Sequence, residues 1–239
     1  MSVGLVTGAS RGLGRALALG LARKGWSLVI DGRNEEALNT AGQEMRLLQP
    51  PGAQLVAIAG DITEARHRTE LAGAAYALGG LDLLINNAGS LGPSPLPHLA
   101  HFPLQGLRQL FEVYPVAALG LIQETIDLLR ATPTGGRVIL VSSDAAIEAY
   151  PGWGGYGAAK AAVDHIAAVL AVEEPALRVW ALDPGDLRTQ MHQEAFPGED
   201  ISNRPEPDSV VPAILELIQS DRPSGRLRAA DLHSPAAAS

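Results

Sequence analysis

The chain has 239 residues, of which 46% are hydrophobic and only 4% aromatic, which predicts one domain with a core of Ala, Leu, Val and Ile. A net charge of -8 argues against nucleic-acid or anionic-membrane partners, and the lack of cysteine excludes disulfides, thiolate metal sites and thiol catalysis. The first residues do not resemble a signal peptide, and no apolar run is long enough to cross a membrane. We therefore expect a cytoplasmic protein.

Short aliphatic runs alternate with segments of helical period along the chain, which predicts an α/β fold. The expected architecture is a Rossmann-type doubly wound parallel sheet of about seven strands in a single domain, 1–239, with a frayed tail at 233–239. Strands are predicted at 3–7, 27–31, 55–59, 81–85, 137–141, 178–182 and 226–230. Helices are predicted at 12–24, 35–48, 64–78, 104–131, 155–173 and 208–219, and proline-rich loops at 89–103 and 190–207.

A glycine-rich turn follows the first predicted strand and opens the first helix, with the sequence Thr7-Gly8-Ala9-Ser10-Arg11-Gly12-Leu13-Gly14. Glycines at this point let the backbone approach a pyrophosphate, whose charge is met by the N–H groups of the helix N-terminus. The alternative is a simple tight turn. Position between a strand and a helix favours the dinucleotide site.

The end of the second strand bears on which dinucleotide is bound, because a carboxylate there accepts the ribose hydroxyl and repels a 2′-phosphate. If Gly32 occupies this position, Arg33 and Arg11 can clamp the phosphate of NADP(H). If Asp31 occupies it, NAD(H) is favoured. Both arginines could also be ordinary surface charges.

Five motifs then occur in the order and spacing of one family: 7–14, 60–63 (Gly-Asp-Ile-Thr), 86–89 (Asn-Asn-Ala-Gly), Ser143 with Tyr156-x-x-x-Lys160, and Pro184-Gly185 with Thr189. Over nearly its whole length the chain resembles the classical short-chain dehydrogenase/reductases. The resemblance implies hydride transfer between NADP(H), or less favourably NAD(H), and a carbonyl/alcohol substrate. It also implies a homotetramer or homodimer, built through the helices at 104–131 and 155–173.

The resemblance further implies the site residues. The catalytic set is Ser143, Tyr156 and Lys160. Gly32 falls where NAD-using members carry Asp. The cofactor-binding set is Gly8, Ser10, Arg11, Gly12, Leu13, Gly14, Gly32, Arg33, Asp61, Ile62, Asn87, Ala88, Gly89, Tyr156, Lys160, Pro184, Gly185, Leu187 and Thr189.

Tyr156 and Lys160 are four residues apart and share one face of the predicted helix. An ammonium beside a phenol favours phenolate, which lowers the tyrosine pKa from about 10 toward neutral pH and suits proton exchange with a substrate oxygen. Ser143 follows the fifth strand and can orient the same oxygen. Its neighbour Ser142 is excluded because the family's step from serine to tyrosine is thirteen residues.

One residue departs from the family pattern. The family usually has an Asn in the helix after 86–89 that holds a kink and a water connected to the lysine, but Tyr114 falls at that position. Pro115 lacks an N–H and can open the helix by another route. The departure leaves open an enzyme with a different proton route and, as the alternative function, a dinucleotide-binding sensor with weak or no turnover.

The substrate side is less informative. Tyr150, Trp153, Met191, His192 and Phe196 are candidates for a pocket that receives an apolar substrate body, although such residues equally often serve packing. The histidines show no recognisable ligand spacing, and we predict no metal site.

Overall fold

The computed structural model describes residues 1–232, and its strands form one seven-stranded parallel sheet in the order β3-β2-β1-β4-β5-β6-β7. Strands β1 to β7 span Val3–Val6, Ser27–Gly32, Leu55–Ala59, Leu83–Asn86, Arg137–Val141, Arg178–Asp183 and Gly225–Arg228. Helices α1 to α8 span Gly12–Arg23, Glu35–Leu48, Ala65–Ala77, Leu104–Phe111, Ala117–Arg130, Gly154–Glu173, Gln190–Ala195 and Val211–Gln219. The predicted Rossmann-type doubly wound sheet is confirmed. The predicted frayed tail, 233–239, lies outside the described residues.

The sheet is covered on both faces by separate apolar layers. Successive strand residues point to opposite faces, so Leu5 joins the layer of α3, α5 and α6, while Val6 joins the layer of α1, α2 and α8. Both side chains are fully buried. Strand order reverses between β1 and β4, and a crevice at such a reversal is where open α/β sheets bind ligands.

The single helix predicted at 104–131 is wrong in its middle. Helix α4 ends at Phe111, a π-helical turn occupies Glu112–Val116, and α5 follows from Ala117. Pro115 lies inside the turn and cannot donate a backbone hydrogen bond, which accounts for the widened ladder. The opening of the helix that the sequence allowed at Pro115 is therefore present as a π-helical turn.

The segment predicted as a loop at 190–207 begins instead with a short helix, α7. Thr189 caps this helix, because its Oγ1 accepts a hydrogen bond from the backbone N–H of His192 at 3.2 Å. At the C-terminal edge, β7 ends at Arg228, and the remaining predicted strand residues form a 3₁₀ turn over Ala229–Asp231.

Candidate active site

A large cleft of about 1750 Å³ crosses the carboxyl ends of the strands. It is larger than the 300–1,000 Å³ typical of drug-sized ligands, and so offers room for a dinucleotide beside a substrate. Every predicted catalytic and cofactor-binding residue lines this cleft except Gly14. All five predicted substrate-side residues line it as well.

Gly14 has a different role, which its packing explains. A Cβ at this position would lie 2.4 Å from both Asn87 Nδ2 and the carbonyl oxygen of Gly8. Gly14 therefore allows α1 to pack against the turn that precedes it. Asn87 holds the turn from the other side, since its Nδ2 donates to the Thr7 carbonyl oxygen at 2.9 Å.

The glycine turn also has the local geometry of an anion site. Gly8 and Gly12 adopt φ values of +66° and +55°, which disfavour any residue with a Cβ. Arg11 occupies the N-cap position of α1 but makes no side-chain cap hydrogen bond. The N–H groups of the first helical turn thus have no side-chain acceptor, and Gly12 and Leu13 line the cleft at this point.

Asp31 at the end of β2 has both carboxylate oxygens engaged within the protein. Oδ1 accepts the backbone N–H of Gly8 at 2.6 Å, and Oδ2 lies 3.1 Å from His67 Nε2. The residue is only 1% exposed. The next two residues, Gly32 and Arg33, lie along the cleft, which is the arrangement that the NADP alternative requires at this position.

Only one of the two arginines in the predicted phosphate clamp has a hydrogen-bond partner within residues 1–232. Arg11 Nη1 donates a hydrogen bond to Gln190 Oε1 at the start of α7. Arg33 makes no side-chain hydrogen bond or ion pair within residues 1–232, although it lowers the pKa of the nearby Asp61. Both arginines line the cleft, but of the two only Arg33 has a guanidinium group without a hydrogen bond or ion pair within residues 1–232.

Asp61 forms a fixed acceptor after β3. Its Oδ1 accepts hydrogen bonds from the backbone N–H and the hydroxyl of Thr63, at 2.9 and 2.8 Å. Burial acts to raise the pKa of the Asp61 carboxyl, but the hydrogen bonds from Thr63 outweigh it, and the pKa lies below its usual value. The carboxylate is thus ionised and oriented at neutral pH.

The segment after β6 completes the wall opposite the glycine turn. Gly185, with φ of +75°, turns the chain directly after Pro184, and its N–H donates to Asp183 Oδ1 at 2.9 Å. Leu187 and Thr189 then line the cleft on the way to α7. Because Gly185 has a left-handed conformation, the turn positions these residues above the strand ends.

The three predicted catalytic residues meet at the deep end of the cleft. Ser143 caps the 3₁₀ turn that follows β5, accepting the N–H of Ala145 at 3.2 Å, while Tyr156 and Lys160 lie on α6. Burial raises the pKa of Tyr156 to about 12, although interactions with the hydroxyls of Ser143 and Tyr114 lower it. The structure therefore contradicts the lowered tyrosine pKa expected from the sequence, because burial outweighs the interactions that lower it.

Lys160 is buried, at 4% exposure, and its ammonium group contacts residues outside α6 rather than solvent. Nζ donates to the Val141 carbonyl oxygen at 2.6 Å and lies 4.1 Å from the centroid of the Tyr114 ring. Burial lowers the pKa of Lys160 to about 7, opposed by the negative charges of Asp164 and Asp183. The lysine can therefore gain or lose a proton near neutral pH.

Tyr114, the residue at the family's Asn position, is locked in place. Its hydroxyl donates to the Ser90 carbonyl oxygen at 2.7 Å and accepts the Ser90 N–H at 3.0 Å. Its ring meets the Tyr156 ring edge-on, with centroids 5.6 Å apart. Gly89 makes room for the phenol, since a Cβ there would lie 2.5 Å from the Tyr114 oxygen. The sequence identified this departure but not these contacts.

Arg226 was missed by the sequence analysis. From β7 its Nη2 donates to the Ser143 carbonyl oxygen at 2.9 Å, and its Nε donates to Asp164 Oδ2 at 2.9 Å. The same guanidinium lies 3.6 Å from Asp183 Oδ2. Arg226 thus connects the loop that contains Ser143 to the two carboxylates that act to raise the pKa of Lys160. This contact joins distant segments of the chain, so no local motif predicts it.

Aromatic side chains form the substrate end of the cleft. Trp153 meets the Tyr156 ring edge-on at a centroid distance of 5.6 Å and lies 6.2 Å from the ring of Phe196. The His192 ring is tilted against that of Phe196, with centroids 5.0 Å apart. Tyr150 also lines the cleft, and its hydroxyl donates to Asp144 at 3.0 Å. The wall beside Tyr156 is therefore aromatic and largely apolar.

Two absences concern residues 1–232 only. None of their helices combines the length and hydrophobicity needed to traverse a bilayer. No three His, Asp or Glu side chains within that range are grouped as metal ligands would be.

Comparison with known proteins places this cleft in context. A family model described as short chain dehydrogenase matches residues 2–200. Sepiapterin reductase of Rattus norvegicus is 36% identical over 203 residues, which is 81% of this chain and 77% of that protein. A short chain dehydrogenase of Salmonella enterica serovar Typhi has a TM-score of 0.87 at 30% identity, with 95% of each chain covered. An alcohol dehydrogenase of Thermococcus sibiricus, complexed with 5-hydroxy-NADP, has a TM-score of 0.85 at 26% identity, again with 95% of each chain covered.

Proposed function

Because the chain belongs to the short-chain dehydrogenases, we propose that it is an NADPH-dependent reductase of a carbonyl substrate. The observation that carries the proposal is the meeting of Ser143, Tyr156 and Lys160 in one cleft with an uncapped, glycine-lined helix N-terminus. One end of this cleft suits a dinucleotide phosphate, and the other suits proton exchange.

The residues present fit the dinucleotide. The N-terminus of α1 offers its N–H groups to the pyrophosphate, and Asp61 is an oriented acceptor for the adenine end. Gly32 and Arg33 favour a 2′-phosphate, because Asp31 is engaged with Gly8 and His67. The similarity to a Thermococcus enzyme complexed with 5-hydroxy-NADP supports the same choice. When bound, the nicotinamide supplies the hydride.

The protein groups perform the proton chemistry. With a pKa raised to about 12 by burial, Tyr156 is protonated at neutral pH and can donate its proton to the oxygen of a carbonyl. Ser143 orients that oxygen through its hydroxyl. Burial lowers the pKa of Lys160 to about 7, so this lysine can supply the proton that restores Tyr156 after it has donated its own. A protonated tyrosine is the form that a general acid needs for carbonyl reduction.

The substrate end supports a carbonyl compound with a largely apolar body. Trp153 and Phe196 form a wall beside Tyr156, and such faces receive planar or aliphatic groups in preference to charged ones. The similarity to sepiapterin reductase supports a reductase of a small molecule.

We also expect self-association through α5 and α6, as a homotetramer or homodimer. Leu119, Val169 and Val172 are exposed apolar side chains on these two helices, and Val172 is 80% exposed. Light scattering of the purified protein after size exclusion distinguishes a monomer from either assembly.

A second function, a dinucleotide sensor with little turnover, has one observation in its favour. Tyr114 replaces the family's usual Asn and holds the Lys160 ammonium against its ring. If that contact keeps the lysine from exchanging protons, the protein would bind NADPH and turn over slowly.

The test titrates the purified protein with NADPH and with NADH, following nicotinamide fluorescence. A panel of ketones and aldehydes is then assayed by loss of reduced-cofactor absorbance. We expect tighter binding of NADPH and carbonyl-dependent oxidation, abolished in Tyr156→Phe with little change in NADPH affinity. Binding without oxidation across the panel would favour the sensor, and turnover by Tyr156→Phe would refute the mechanism.

A further inference from the structure

A buried histidine and carboxylate lie beneath the glycine turn, and neither takes part in the proposed proton chemistry. We propose that His67 determines coenzyme choice by holding the Asp31 carboxylate against the turn, withdrawn from the ribose pocket. His67 is in this sense a positioning residue that acts through Asp31. The inference rests on the proposed NADPH-dependent function and extends it to a residue outside every motif in the chain.

The geometry places Asp31 where a small movement would matter. It immediately precedes Gly32, and both residues line the cleft beside Arg33. Its two oxygens are held by single donors in different elements: the backbone N–H of Gly8 at 2.6 Å and His67 Nε2, from α3, at 3.1 Å. Both side chains are almost fully buried, at 2% exposure for Asp31 and 5% for His67. The pair is therefore a fixed internal contact rather than a surface ion pair.

Gly60 fixes the imidazole in this position. A Cβ at Gly60 would lie 2.3 Å from His67 Nδ1, so the ring occupies the space that a side chain would fill. Gly60 is itself tied to β2, since its N–H donates to the Gly32 carbonyl oxygen at 3.2 Å. The imidazole thus sits between the ends of β2 and β3, with its other edge on the carboxylate.

Loss of the histidine would leave Asp31 Oδ2 buried without a partner. An unpaired buried carboxylate is costly, and the side chain gains solvation by turning toward the cleft. A carboxylate at this strand end accepts the hydroxyls of an unphosphorylated ribose and repels a 2′-phosphate. His67 therefore preserves the choice of NADPH by keeping that charge internal.

The experiment measures dissociation constants for NADPH and NADH, by fluorescence, in the wild type, His67→Leu, His67→Gln, Gly60→Ala and the double variant His67→Leu/Asp31→Asn. Circular dichroism and thermal unfolding establish that each is folded. We expect the ratio Kd(NADH)/Kd(NADPH) to fall by about tenfold or more in His67→Leu. Gly60→Ala should lower it in the same direction, because the added methyl displaces the ring.

His67→Gln keeps an N–H donor near Oδ2 and should retain most of the wild-type ratio. The double variant has no charge to release and should recover it. A ratio in His67→Leu or Gly60→Ala within about twofold of the wild type would overturn the inference, as would equal weakening of both dinucleotides, which a merely structural role produces. If the wild type itself bound neither dinucleotide or preferred NADH, the proposed NADPH-dependent function would fail first, and the inference with it.

Discussion

The ammonium nitrogen of Lys160 lies 4.1 Å from the centroid of the Tyr114 ring and 5.6 Å from that of Tyr156. Lys160 therefore lies closer to the ring of Tyr114, which replaces the family's Asn, than to the ring of Tyr156. A buried cation on an aromatic face is stabilised by about 2 kcal/mol. Because the Tyr114 hydroxyl is fixed to Ser90 at both its donor and acceptor sides, the ring cannot swing aside.

Replacing Tyr114 by Leu should lower kcat about tenfold, because the ammonium loses the ring that positions it. Tyr114→Phe keeps the ring and loses only the hydrogen bonds to Ser90, so its kcat should stay within about threefold of the wild type. Steady-state kinetics at saturating NADPH distinguish the two variants. Equal losses in both would attribute the effect to the Ser90 anchor instead of the ring.

The depressed lysine pKa should appear in the pH dependence of stability. Lys160 titrates at about 7 in the folded chain and near 10.5 when unfolded, so between these values the unfolded state binds more protons and stability rises with pH. Below about pH 7 the lysine is protonated in both states and contributes no slope. Above about pH 10 the raised pKa of Tyr156 has the opposite sign, since the folded state then binds the extra proton.

Urea unfolding at pH 7.5, 8.5 and 9.5 measures this slope, and Lys160→Met is the matched control. The slope of the unfolding free energy against pH should be steeper in the wild type than in the variant. The difference should approach one proton, which is about 1.4 kcal/mol per pH unit. Parallel pH dependences of the two proteins would show that Lys160 keeps an ordinary pKa in the folded state.

Arg226→Met should reduce both stability and turnover. It leaves the Ser143 carbonyl oxygen without its donor and Asp164 without its ion-pair partner, and Asp164 is largely buried. Loss of such a buried partner costs about 1 to 3 kcal/mol or more. Arg228→Met on the same strand is the control, because Arg228 is exposed. Thermal unfolding and kcat are measured for both variants. Equal effects of Arg226→Met and Arg228→Met would show that Arg226 has no particular role in the site.

Gly14→Ala should weaken NADPH binding and destabilise the fold by about 1 to 3 kcal/mol, because its Cβ would lie 2.4 Å from a backbone oxygen and from Asn87 Nδ2. Gly73→Ala is the control within α3, where a Cβ meets nothing within 4 Å. That variant should gain about 0.5 to 1 kcal/mol from the better helix propensity of alanine. Denaturant unfolding and fluorescence titration compare them; a tolerated Gly14→Ala would mean that α1 can shift away from the turn.

The sheet was predictable because its strands are covered on both faces, so apolar runs such as 27–31 stand out without reference to distant residues. The glycine turn and the Tyr156/Lys160 pair were predictable for a similar reason, since each is set by spacing within one local segment. The single helix predicted at 104–131 failed at Pro115. A proline inside a helical pattern signals an interruption, but whether the ladder breaks, kinks or widens depends on packing against α6 and Ser90.

Contacts between remote segments lay beyond the sequence. Arg226 reaches Ser143 across 83 residues, and His67 reaches Asp31 from a different helix. Neither residue belongs to a spaced motif, and Arg and His on amphipathic elements are most often solvated. The sequence also left the Asp31 alternative open, because the contacts of this carboxylate with Gly8 and His67 join residues that are distant in the chain.

The paired hydrogen bonds between Tyr114 and Ser90 divide the loop that follows β4 into two parts. The part up to Ser90 is fixed to the ring that lies against Lys160. The part beyond Gly92 contains Pro93, which lines the cleft, and Leu96 and Phe102, which pack against the core. Phe102 lies against Gly155, next to Tyr156. A protein engineer who wishes to change what enters the cleft can therefore vary the short stretch 93–95, provided that Leu96 and Phe102 are kept.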